Sequence, residues 1–97
     1  MSLSKKGLVA MKFSAVWCAP CRVVNPLFDK MKSEFGNITF ESIDVDDQPM
    51  MAKEHRIRSV PTVILFKDGQ EIDRIIGTVT AGALRKLLRD LEERAAA

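Results

Sequence analysis

From Leu8 to Ala15 the chain is apolar almost without interruption, broken only by Ser14 and, in its middle, Lys12. Such a run reads as a central strand buried on both faces. From Cys18 to Phe35 the pattern changes to helical spacing. Val24, Leu27, Phe28, Met31 and Phe35 fall on one side, and Arg22, Asp29, Lys30, Lys32 and Glu34 fall largely between them. Gly36-Asn37 closes that helix. Ile38 to Val45 is rich in β-branched and aromatic residues and predicts a second strand. Asp46-Asp47-Gln48-Pro49 has turn and helix-start chemistry, and a short helix follows to about His55. Thr62 to Lys67 predicts a third strand, and Asp68-Gly69 is a two-residue hairpin signal that returns the chain along Glu71 to Gly77. Thr80 can cap a last helix whose Leu84, Leu87, Leu88 and Leu91 form one apolar face, with Ala95 to Ala97 fraying.

The order is therefore β-α-β-α-β-β-α. A strand-helix-strand crossover gives two parallel neighbours, its right-handedness fixes the face that the first helix covers, and the hairpin adds antiparallel strands. The expectation is an α/β fold, a four-stranded mixed sheet with helices on both faces, in a single domain over residues 1–97 with residues 1–7 flexible.

Composition narrows the function without choosing it. The chain has 97 residues, and its hydrophobic fraction of 46% suits a globular domain. Fifteen Lys and Arg are interleaved with thirteen Asp and Glu for a net charge of +2, with no basic stripe or aromatic platform for nucleic acid. No apolar run approaches the roughly 20 residues of a membrane span. Met1 to Gly7 has two lysines but no apolar core and no small-residue cleavage site, so a cytoplasmic location is expected. In that reducing compartment a structural disulfide is out of place, and the chain's two cysteines need a chemical explanation.

Both cysteines lie in Cys18-Ala19-Pro20-Cys21, where the first strand gives way to the amphipathic helix. Residues three apart at a helix start share a face, at a Cα separation that suits a disulfide, about 5–6 Å. The unpaired N–H groups and partial positive charge of the helix start stabilise a thiolate. Pro20 stiffens the turn without losing an intrahelical bond. Cys18, the first and more exposed, is expected to attack, and the inward Cys21 to resolve. The competing readings are a zinc half-site and a pair of inert buried thiols; a structural zinc site needs four ligands, and the only other nitrogen ligand is the distant His55. His55, at the end of a short polar helix, reads as solvated, and Asp46-Asp47 reads as turn and cap chemistry.

Trp17-Cys18-Ala19-Pro20-Cys21 resembles the active-site segment of the thioredoxin family, in which glycine is more usual at Ala19. Phe13-Ser14-Ala15, Pro26, Asp44-Val45-Asp46, Ile57-Arg58-Ser59-Val60-Pro61-Thr62, Phe66-Lys67-Asp68-Gly69 and Ile76-Gly77 follow in the family's order and spacing, from about Leu8 to Leu91. The resemblance implies the thioredoxin-like fold and a protein-disulfide reductase that works through a mixed disulfide. Trp17 would shield the site and meet partners, with Ala19 and Pro20 tuning the pair. Val60-Pro61 would be the family's cis-proline and would pair with a substrate's extended segment, with Ile76, Gly77 and Thr78 as the other rim of the docking groove. Disulfide-containing proteins would be substrates, a thioredoxin reductase would supply electrons, and no cofactor would be needed beyond the Cys18–Cys21 disulfide.

The likeness has two departures. Family members usually begin with a further strand and helix, so the resemblance implies a shortened member. Its second strand would then be an open edge, giving a monomer or a weak dimer. Lys12 occupies the position where thioredoxins commonly bury an aspartate behind the resolving cysteine. Two other readings remain at this point, a binding or adaptor subunit on the same fold and a glutaredoxin-like activity with glutathione.

Overall fold

The computed structural model describes residues 7–96. The elements are β1 (Leu8–Ser14), α1 (Cys21–Glu34), β2 (Ile38–Asp44), α2 (Pro49–Glu54), β3 (Thr62–Lys67), β4 (Gln70–Ile76) and α3 (Ala81–Ala96). Of residues 1–7, expected to be flexible, residues 1–6 lie outside the described residues, as does Ala97. Gly7 itself is held: its N–H donates to Asp68 Oδ1 at 2.7 Å, and its carbonyl accepts the Asp68 N–H at 2.9 Å.

The sheet order is β2-β1-β3-β4. β1 and β2 are parallel, while β1–β3 and β3–β4 are antiparallel. This is the expected four-stranded mixed sheet, and alternation along β1 and β3 builds its two cores. Leu8, Ala10, Val63 and Leu65 face α1 and α3, where Val24, Phe28, Met31, Leu84, Leu88 and Leu91 complete one cluster. Val9, Met11, Phe13, Ile64 and Phe66 face the other way, toward Met51 of α2. A strand covered on both sides needs apolar side chains at every position, which is why β1 and β3 read as runs and not as alternating patterns.

Turn chemistry acts where expected. Asp68 and Gly69 both take positive φ (51° and 86°), the requirement of a tight hairpin between right-twisted strands. Thr80 Oγ1 accepts the Ala83 N–H at 3.1 Å and caps α3. The first helix starts later than the pattern predicts, at Cys21, because Pro20 stands at its N-cap and residues 18–20 form the turn before it.

His55 departs from the sequence reading. It is only 8% exposed. Its ring lies 5.5 Å from Phe13 and 5.6 Å from Phe66, centroid to centroid. The short helix lies across the α2-side core, and its C-cap residue turns inward. Arg74 Nη2 donates to the His55 carbonyl at 2.9 Å while pairing with Glu71, which pins the turn.

Burial is the main cause that holds the His55 pKa below its ordinary 6.5; Arg74 acts in the same direction, against Glu54 and Glu71. A folded pKa below the unfolded one means that stability is fully present above the unfolded value and falls as pH drops toward the folded one. Urea midpoints measured from about pH 7 to about pH 5 are expected to fall in the wild type more steeply than in His55→Phe. Parallel curves would show that His55 takes up its proton without cost.

Candidate active site

At the end of β1 the chain leaves the sheet through Ala15, Val16 and Trp17, and α1 begins four residues later. Cys18 N–H donates to Ala15 O at 3.2 Å, and Val23 and Val24 N–H both reach Pro20 O, so the turn is closed from both ends. Cys18 and Cys21 are joined in this turn as a disulfide, with a Cα separation of 5.3 Å. The Cys21 N–H, one of the orphan donors of the helix start, points at Cys18 Sγ at 3.2 Å. A backbone donor aimed at sulfur stabilises negative charge there once the disulfide is opened.

Cys18 is 4% exposed and Cys21 1%, so the difference in accessibility expected between them is small in this oxidised arrangement. Cys18 packs against Val60, whose carbonyl oxygen lies 3.6 Å from its Sγ. Its neighbours along the chain, Trp17, Ala19 and Pro20, are exposed. The sulfur therefore sits at the floor of an open surface.

The second wall is the segment before β3. The Val60–Pro61 peptide is cis, and Val60 is half-buried against the cysteine pair. Thr62 Oγ1 donates to Ser59 O at 2.8 Å, and the Gly77 N–H donates to Pro61 O at 2.8 Å. That last bond brings Ile76, Gly77 and Thr78 alongside Pro61, with Ile76 exposed and Gly77 at φ 95°. On the other side of Val60 a groove of about 160 Å³ is lined by Trp17, Val45, Ala52, Ile57, Arg58 and Ser59. Trp17 and Val60 thus share one groove, while Ile76, Gly77 and Thr78 flank Pro61 outside it.

Trp17 is 65% exposed, yet its position is fixed, because Nε1 donates to Asp46 Oδ2 at 2.9 Å. Asp46 is in turn placed by its own N–H, which donates to Asp44 Oδ1 at 2.8 Å. Reading Asp46-Asp47 as turn chemistry missed this role. The available signal was the strand-ending Asp44-Val45-Asp46, which resembles the family's segment.

Lys12 does not line the groove. It is 4% exposed, on the α1 side of β1, with Nζ 5.1 Å from the centroid of the Phe28 ring. Burial is the main cause that lowers its pKa from 10.5, opposed by the charge of Asp29. Among the described residues no group of three or more His, Cys, Asp and Glu is gathered as a metal site, and no helix is long and apolar enough to cross a membrane.

The Thioredoxin family model matches residues 1–90 of this chain. The chain belongs to the thioredoxin family. A thioredoxin of Chlamydia caviae is 37% identical over 82 residues, 84% of this chain and 80% of that protein. One from Mycoplasmoides gallisepticum is 38% identical over 87 residues, 90% of this chain and 87% of that protein. The crystal structure of oxidised mitochondrial thioredoxin 3 from Saccharomyces cerevisiae matches with a TM-score of 0.83 at 35% identity, covering 92% of this chain and 83% of that one. With its paired cysteines at the family's position, this thioredoxin-family chain is a thiol–disulfide oxidoreductase, a protein-disulfide reductase.

Proposed function

We propose that the reduced chain opens protein disulfides through Cys18, with Cys21 as the resolving thiol. The observation that carries this assignment is the placing of Cys18 Sγ between the Cys21 N–H and the Val60 carbonyl, beside the exposed Trp17. The Cys18 thiolate attacks a substrate disulfide; one Cys18–substrate bond forms and the other substrate sulfur leaves as a thiolate. The Cys21 thiolate then attacks Cys18 Sγ, the mixed disulfide breaks, and the substrate leaves with both its sulfurs reduced. The two thiols carry the two electrons themselves, so no bound cofactor enters the cycle.

The partners follow from this chemistry. Substrates are proteins with an accessible disulfide, whose extended segment lies along Val60 with its side chains toward Trp17 and Ile76. A solved structure with a TM-score of 0.84 comes from work on thiol resolution in a yeast mitochondrial 1-Cys peroxiredoxin through glutathione/thioredoxin systems, which supports other thiol enzymes as partners. A thioredoxin reductase returns the electrons, making the chain an electron carrier. The cytoplasm suits it, since both of its cysteines belong to the reactive pair. It acts as a monomer or as a weak dimer through β2, which has a strand on one side only among the described residues.

The test is reduction of a protein disulfide with NADPH and a thioredoxin reductase as the electron source. Catalytic turnover is expected, with glutathione and glutathione reductase supporting far less. The reverse preference would make the activity glutaredoxin-like, and no turnover with any reductant would leave a binding subunit.

A further inference from the structure

Two buried polar groups on the α1 side of the sheet lack an explanation in the exchange chemistry. Asn25 Oδ1 is buried with no hydrogen-bond partner, a costly state for an amide oxygen. Lys12 carries an ammonium into the same region and rests on the face of Phe28. Their placement on α1 relates them. Cys21, Asn25 and Phe28 stand at i, i+4 and i+7, so they follow one another along a single face of the helix. Asn25 is one turn from Cys21 and one turn from Phe28 and Asp29. Phenylalanine on a helix leans back toward the N-terminus, so the ammonium over the Phe28 ring lies toward Asn25.

We propose that Lys12 and Asn25 form a positioning pair: Asn25 Oδ1 accepts a hydrogen bond from a single water held by the Lys12 ammonium, and so fixes a positive charge on the helix face that carries the resolving thiol. This deepens the assignment of Cys21 as that thiol and rests on it. With a rise of 1.5 Å per residue, the charge lies on the order of 8 Å from Cys21. At that separation in a partly screened interior it lowers a thiol pKa by about half to one unit.

The surrounding charges leave the pair in control. The charge of Asp29 on α1 acts on the ammonium against the effect of burial. On β2 the residue in register with Lys12 is the uncharged Ser42, and Asp44 beyond it accepts the N–H groups of Asp46 and Asp47. β3 and α3 present apolar side chains to this face, Val63 and Leu65 among them. Nearer the thiol, Arg22 at the start of α1 is exposed, and Asp46 is engaged by Trp17.

The experiment follows resolution directly. Reduced protein is mixed with 5,5′-dithiobis(2-nitrobenzoate) in a stopped-flow instrument. The first release of thionitrobenzoate reports attack, and the second reports Cys21 breaking the mixed disulfide, recorded across pH. In Lys12→Met the inflection of the second phase is expected to rise by about half to one pH unit. Its neutral-pH rate should fall about twofold to fourfold, because a more basic thiolate is scarcer but a better nucleophile. The high-pH plateau should not fall, which separates this effect from general damage. Asn25→Leu and the helix-favouring Asn25→Ala should move the inflection in the same direction. In the Lys12→Met background neither should add a further shift, since the two residues act as one unit. An unmoved inflection in Lys12→Met, or an Asn25 effect that persists without Lys12, would overturn the pair. A wild type that gives no second release would instead remove the assignment of Cys21, and the pair with it.

Discussion

Cys18→Ser is expected to reduce protein disulfides no faster than the uncatalysed background, a loss of about a thousandfold or more. The hydroxyl that replaces the thiol is not ionised at neutral pH and forms no mixed disulfide, so no later step can begin. Cys21→Ser fails differently. Its Cys18 still has the backbone N–H of residue 21 aimed at its sulfur and still faces the Val60 carbonyl, so attack proceeds. Without a resolving thiol the chain stops as a covalent adduct, which mass spectrometry reads as the summed mass of both partners. Turnover also falls to background, yet the adduct accumulates to one per chain. The two variants together separate the roles, because activity alone is lost in both. Adduct on Cys21 in the Cys18→Ser protein, with none on Cys18 in the other, would reverse the assignment.

How much of this was legible in the sequence depended on how local the determining interactions are. The order of elements, the buried central strands and the hairpin at Asp68-Gly69 were readable because burial pattern and turn geometry are set by neighbouring residues. The cysteine pair was readable for the same reason, as both sulfurs belong to one turn. His55 was misread because its burial depends on which way a six-residue helix lies over the sheet, and no local pattern encodes that packing. Asp46 looked like a turn residue and is one, but the indole that it also holds lies 29 positions away. Asn25 gave no signal at all. A polar residue on a helix reads as solvent-facing until its burial against the neighbouring elements is known. In each case the missing information is a contact between elements.

Phe28→Ala is expected to cost about 3–5 kcal/mol of stability. The Phe28 side chain is fully buried between α1 and the sheet. Its ring meets Phe40 of β2 edge to face, at 5.1 Å between centroids and 72° between planes. Truncation removes that apolar burial and leaves a cavity, and the helix and sheet around it can collapse only in part. It also strips the aromatic face from the Lys12 ammonium, so the cost should lie toward the upper end of the range. For a domain whose total stability is about 5–15 kcal/mol, this is a large fraction of the whole. At a urea slope of about 1–2 kcal/mol per molar, the midpoint should move down by more than 1.5 M. Phe28→Ala combined with Lys12→Met tests the coupling. With no buried charge to leave without its ring, the phenylalanine truncation should cost less in that background, by about 0.5–1 kcal/mol. Equal costs in the two backgrounds would show that the ring contributes packing alone, and that the ammonium gains nothing from resting on it.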